Sequence, residues 1–190
     1  AGGCAYGYSN FTVRIDHVAR FNEINRILVV ADNSQTPNSR WYSGAGIYRP
    51  VHLYVQNKHH ILLDGVKVTT RITSPCEIHV KTSHTGGDVA VEILYGGEVK
   101  AAASGDDVVI TVPDGKLWSA ESPNLYEYRV TLTCDGLVQD VAEGRFGIRK
   151  IAWSNRGLFI NGQETLLRGG CVHHDIGILG AADYPEASMR

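Results

Sequence analysis

The sequence is short of the features that would make its reading easy. No apolar run approaches the roughly eighteen residues that a membrane helix needs. Helical periodicity is nearly absent. Basic excess is lacking too: eighteen Lys and Arg stand against twenty Asp and Glu, for a formal net charge of -2. With Lys and Arg scattered rather than blocked, neither nucleic acid nor an anionic membrane surface is an expected partner. The four cysteines, at 4, 76, 134 and 171, form no CxxC pair, which argues against a structural zinc site. No metal site and no cofactor enter the reading. Cys76 and Cys134 are read as partly buried thiols, with a disulfide across the core as the alternative. No charged segment followed by an apolar stretch opens the chain, so no signal peptide is read within it, and the compartment stays open.

What is present is alternation with a period of two. Strands are expected at 11–15, 26–32, 50–56, 66–72, 77–83, 88–95, 107–112, 126–133 and 138–148. Asp64-Gly65, Gly86-Gly87, Gly96-Gly97, Asp114-Gly115 and Asp135-Gly136 read as the turns between them. Hydrophobic content of 43% over 190 residues is enough for one full core. The fold class predicted is all-β: an immunoglobulin-like antiparallel β-sandwich of about seven strands, with incomplete flanking segments. Domain boundaries are expected at 1–50, 51–150 and 151–190. In "LWSAESPNLYEYRVTL", Tyr126, Tyr128, Val130 and Leu132 fall on one inward face of a central strand, and Trp118 is expected to plug the end of the sandwich. Residues 1–49 supply too few strands to bury both faces of a sheet. Residues 151–190 open with a hairpin around Asn161-Gly162, then run through a loop to a helix beginning near Pro185.

Three stretches together resemble glycoside hydrolase family 2, the family of bacterial β-galactosidases and β-glucuronidases. "SRWYSGAGIYRPVHL" (39–53) is similar to the family's junction between a jelly-roll, sugar-binding-like domain and an immunoglobulin-like domain. "LWSAESPNLYEYRVTL" (117–132) looks like the late strands of that second domain, and "FGIRKIAWSNRGLFINGQETLLRGGCVHHD" (146–175) like its exit and the first strand of a catalytic TIM barrel. The physics of the first stretch suits an interdomain joint. Gly44 and Gly46 permit a sharp turn; Trp41 and Tyr42 offer apolar area, and Arg40 and Arg49 planar forks for carboxylates or carbonyls.

The resemblance implies two substrate contacts. A polar residue just before the junction reaches toward the sugar; Asn38, beside Ser39, is the candidate. His173 stands where the family has a histidine that donates to a sugar hydroxyl, although the family's Asn-Arg-His-Glu reads Cys171-Val172-His173-His174 here. Without the family, the His-His-Asp run reads as a solvated loop or, less readily, a metal site.

The resemblance further implies retaining hydrolysis of terminal β-glycosides by two glutamates from later barrel strands. Glu77, Glu92, Glu121, Glu127, Glu143 and Glu164 show no pocket pattern and read as solvated faces; Glu186 would fall in the first barrel helix. No residue is assigned a catalytic role, and the 190 residues by themselves are expected to be inactive. A periplasmic or extracellular parent acting on a carbohydrate would be ordinary for the family. Unpaired strand edges make self-association of the piece an additional expectation. The competing reading is a non-catalytic carbohydrate-binding or structural immunoglobulin-like module of a surface protein, which would need a row of exposed aromatics on one face.

Overall fold

The computed structural model describes residues 2–4, 9–32, 34, 46–47 and 49–171. These fall into two units, one drawn from the chain up to Val51 together with Cys171 and the other spanning His52–Gly170.

Among the described residues there are ten strands, all in the second unit, and no helix. β1 (Ile61–Thr73), β2 (Cys76–His84) and β5 (Asp107–Val112) form one sheet in the order β1-β2-β5. β3 (Asp88–Tyr95), β4 (Glu98–Ser104), β6 (Tyr126–Cys134) and β7 (Leu137–Phe146) form the other, in the order β4-β3-β6-β7. Every pairing is antiparallel. These seven strands make the expected immunoglobulin-like sandwich. A third sheet, β10-β9-β8, is a meander of β8 (Ile151–Ser154), β9 (Gly157–Ile160) and β10 (Gln163–Thr165).

Alternation explains which side chains meet. Cys76, Ile78 and Val80 on β2 point inward with Ile110 and Val112 on β5. Val89, Val91 and Ile93 on β3 face them together with Tyr126, Val130 and Leu132 on β6. Ile78, Val80, Val91, Ile93, Val130 and Leu132 are each 0% exposed. Tyr128 packs half-buried against the same cluster, so the expected inward face of β6 is present. Three of the hairpins are closed by two-residue turns with positive φ at both central residues: Gly96-Gly97 (φ 62° and 83°), Asp135-Gly136 (52° and 76°) and Asn161-Gly162 (52° and 82°). Positive φ at both central residues matches the right-handed twist of the flanking strands.

Several expectations require correction. The stretches 11–15, 26–32 and 50–56 carry no ladder among the described residues. Their side chains stand in solvent, with Leu28 at 89% and Val55 at 85% exposure. An alternating pattern marks a face suited to burial, but a strand exists only when its backbone finds a partner. In the first unit, order is local instead: Asn25 accepts from Arg20 N (2.9 Å) and donates to Arg20 O (2.8 Å), while Arg14 and Asp16 pair at 2.7 Å.

Asp64-Gly65 is not a turn. It interrupts β1, where the register with β2 shifts between Ile61 and Val66 and Asp64 takes φ 56°. A Cβ on Gly65 would lie 2.6 Å from Leu62 O and 2.7 Å from Ser83 O, so the backbones approach more closely there than a side chain allows. The strands missed by the alternation are β4, "EVKAAAS", and the short β8, "IAWS". The sandwich thus has its seven strands with 98–104 in the place expected of 50–56. Cys76 and Cys134 are both free thiols, with no bridge between them.

Candidate functional site at the joint between sandwich and exit hairpin

Neither proposed sugar contact can be placed: Asn38 and His173 lie outside the described residues, as do Ser39, most of the Arg40–Arg49 junction, Glu186 and the expected helix near Pro185. Gly46 is described and takes φ 121°, a backbone region that favours glycine. Leu166–Cys171, the described start of the expected barrel strand, carry no ladder among the described residues.

The glutamates that are described sit on outer faces. Cross-strand register places Arg129 opposite both Glu92 and Glu143. Its guanidinium donates from Nε to Glu143 Oε1 at 2.7 Å and lies 3.6 Å from Glu92. Arg145 faces Glu127 at 3.5 Å, and Arg156 donates to Glu164 at 3.1 Å. Opposite charges across strands suit a solvated sheet face. Among the described residues there is no cluster of His, Cys, Asp and Glu able to hold a metal. A depression of about 470 Å³ over Ala90, Glu92, Ala102, Ser104 and Thr131 is shallow and open to solvent. None of this is an enclosed ligand site.

The most constructed feature lies at one end of the sandwich, where the β5–β6 connection, the chain leaving β7 and the exit hairpin meet. Tyr126, 2% exposed, stacks against Tyr95 (centroids 4.8 Å apart) and Phe146 (5.8 Å). Its hydroxyl accepts from Lys116 N at 2.8 Å, so the buried phenol is satisfied. Tyr95 donates to Asn124 Oδ1 (3.0 Å), and Asn124 Nδ2 donates to Leu117 O (3.0 Å). These bonds fold the connection back over the core edge.

Trp118 closes that end as expected, half-buried. Its N–H donates to Ile148 O (2.9 Å), and the Arg149 guanidinium lies 4.8 Å from its ring centroid. A Cβ on Gly147 would fall 2.7 Å from Trp118 Cβ, so only glycine lets the two segments lie this close. Asn161 completes the joint. Its Nδ2 donates to Trp118 O (2.9 Å), its Oδ1 accepts from Lys150 N (2.9 Å), and its own N–H donates to Lys150 O (2.8 Å). Asn161 was legible in the sequence as a turn residue; its bridging role was not, because Trp118 is far away along the chain.

Residues 57–149, the sandwich, match the family described as Glycosyl hydrolases family 2. The sandwich belongs to that family. A β-galactosidase of Bacteroides ovatus, BoGH2A, is 33% identical across 97% of the chain. A β-glucuronidase of Bacteroides fragilis is 26% identical across 95%. The chain spans only 24% of the first relative's length and 30% of the second's. Among solved structures, the β-glucuronidase from Ruminococcus gnavus in complex with D-glucuronic acid aligns over 70% of this chain and 23% of its own, with a TM-score of 0.63 at 21% identity. That likeness bears on the family 2 fold alone.

Proposed function

We propose that this chain is a non-catalytic portion of a retaining exo-β-glycosidase that hydrolyses terminal β-O-glycosides, with β-galactosides the first choice. The observation that carries the reading is the family 2 sandwich set within relatives that match nearly the whole chain and extend far beyond it. Both relatives are named for β-glycoside hydrolysis, and the 33% identical one is a β-galactosidase.

The organisation proposed is the end of a sugar-binding-like jelly-roll over 1–50, the immunoglobulin-like sandwich over 51–150, and the start of a TIM barrel over 151–190. In such an enzyme two glutamates placed about 5–5.5 Å apart act as acid/base and nucleophile, and the sugar is held covalently between two displacements. The glutamates of the sandwich and hairpin that bind Arg129, Arg145 and Arg156 are set aside for that role because their charge is already neutralised on open faces. Asn38 and His173 are proposed as sugar contacts supplied by the two flanks. The sandwich acts as scaffold, holding one flank against the other so that both reach the substrate.

A free-standing carbohydrate-binding module is less well supported. Tyr126 is buried and Tyr128 half-buried, so the tyrosines of β6 offer no open stacking face.

The test is hydrolysis of nitrophenyl β-galactoside, β-glucuronide and β-mannoside by the full-length parent beside the 190-residue chain. Turnover by the parent alone is the expected result. Turnover by the short chain would place catalytic carboxylates within it and overturn the proposal.

A further inference from the structure

Turn chemistry alone does not explain Asn161. A two-residue turn with positive φ accepts Asn, Asp or Gly equally well. The side chain here does more than permit the turn. Its carbonyl oxygen takes the N–H of Lys150 and its amide donates to Trp118 O, both at 2.9 Å. Aspartate could accept the first bond but has no donor for the second; glycine could make neither.

The hairpin has little else to orient it. All four residues of β8 are exposed, Trp153 at 71%, and Leu158 is the one buried residue of β9. The anchor on the other side is rigid, because Trp118 is fixed by Ile148 O, by the Arg149 guanidinium and by the bare Cα of Gly147. From β10 the chain runs through Leu166–Gly170 toward His173.

We propose that Asn161 is a positioning residue: by tying the exit hairpin to Trp118 and Lys150, it sets where the chain leading to His173 begins, and so governs catalytic efficiency without touching substrate. This rests on the glycosidase reading above. Small displacements of a contact far from the chemistry cost roughly a hundredfold in rate.

The experiment uses the full-length parent with Asn161→Asp and Asn161→Gly, both of which keep the turn. Hydrogen exchange at the Gly157–Ile160 amides is measured beside exchange at the β2 and β6 core amides. In parallel, kcat and KM are measured per folded molecule on whichever nitrophenyl glycoside the wild type cleaves best. Hairpin amides are expected to exchange at least tenfold faster with the core unchanged, and kcat/KM to fall about ten- to a hundredfold. Unchanged hairpin protection in both variants overturns the clamp. A lowered Tm with kcat and KM per folded molecule within twofold of wild type overturns the positioning role. If the wild-type parent cleaves nothing in the panel, it is the glycosidase reading that falls, and the exchange data still decide the clamp.

Discussion

Asp140 on β7 accepts the backbone N–H of Ile61 on β1 through Oδ2 at 2.9 Å, joining the edges of two different sheets with a single side chain. Its other oxygen accepts from Val141 N at 2.9 Å, and next to it Asn57 Nδ2 donates to Gln139 O at 2.8 Å. Ile61 is only 4% exposed, so its N–H has no ready replacement in water. Asp140→Ala should therefore cost about 1–3 kcal/mol, the range for a buried donor left bare. Asp140→Asn, which retains an acceptor, should cost less. Urea unfolding of the chain measures both, and equal losses would show that the acceptor is not what matters.

The centre of the core gives a second expectation. Ile78 on β2 and Ile93 on β3 are both 0% exposed and belong to one apolar cluster. Truncation of either to alanine should destabilise by about 2–5 kcal/mol. Val109, 47% exposed on the outer face of β5, should tolerate alanine with a change of about half a kcal/mol or less. Comparable losses at all three sites would contradict the assignment of inner and outer faces.

Overpacking tests the joint. Gly147→Ala would place a methyl group 2.7 Å from Trp118 Cβ, with the indole ring atoms almost as near. The expected loss is about 1–3 kcal/mol, accompanied by a changed near-ultraviolet circular dichroism as Trp118 moves. A variant with the wild-type spectrum and stability would mean that the two segments have room to part.

Acid sensitivity follows from Asp107. His79 Nε2 donates to its Oδ1 at 2.6 Å, with Lys81 at 3.7 Å, and this hydrogen bond above all holds the carboxyl below its ordinary range. A carboxylate whose folded pKa is depressed stabilises the fold above its unfolded value, near 3.9, and loses that contribution as pH falls through the folded value. Asp107→Asn should therefore lower Tm at neutral pH, and the gap from wild type should narrow as pH drops below about 4. A gap that stays constant down to pH 2 would remove this pair from the acid response.

Glu92 and Glu143 share Arg129 on an open face. In the full-length parent, Glu92→Gln and Glu143→Gln should each leave nitrophenyl glycoside turnover within about twofold of wild type. A loss of a thousandfold or more in either would identify a catalytic carboxylate where none is expected.

The fold was legible wherever alternation and burial coincide. β2, β3, β5 and β6 each carry an inward apolar row that the sequence displays openly. β4 escaped because its alanines and Lys100 have little strand preference; it is an edge strand held by pairing with β3 alone. The Gly96-Gly97 pair could have revealed it, since a two-residue turn after β3 demands a partner strand. The stretches 26–32 and 50–56 misled for the opposite reason, having strand-like side chains without a ladder among the described residues. The joint at Trp118 was only half legible: an end-plugging indole can be read from composition, whereas the carboxamide of Asn161 reaching its carbonyl depends on tertiary geometry.

The way the chain enters and leaves the sandwich has a mechanical meaning. It enters on β1 and leaves from β7, which are edges of separate sheets and share no backbone ladder. Tension applied between the two flanks would pass through isolated side-chain links: Asp140 to Ile61, Asn57 to Gln139 and Thr70 Oγ1 to the N–H of Arg149. Ile61 meets Asp140 and Thr70 meets Arg149 at the same offset along the chain, so the two strands run parallel and the entry and exit points lie at opposite ends of the seam. Under stretching in an optical trap these links should therefore be loaded together, in shear, and the seam should yield in one step with each sheet still internally paired.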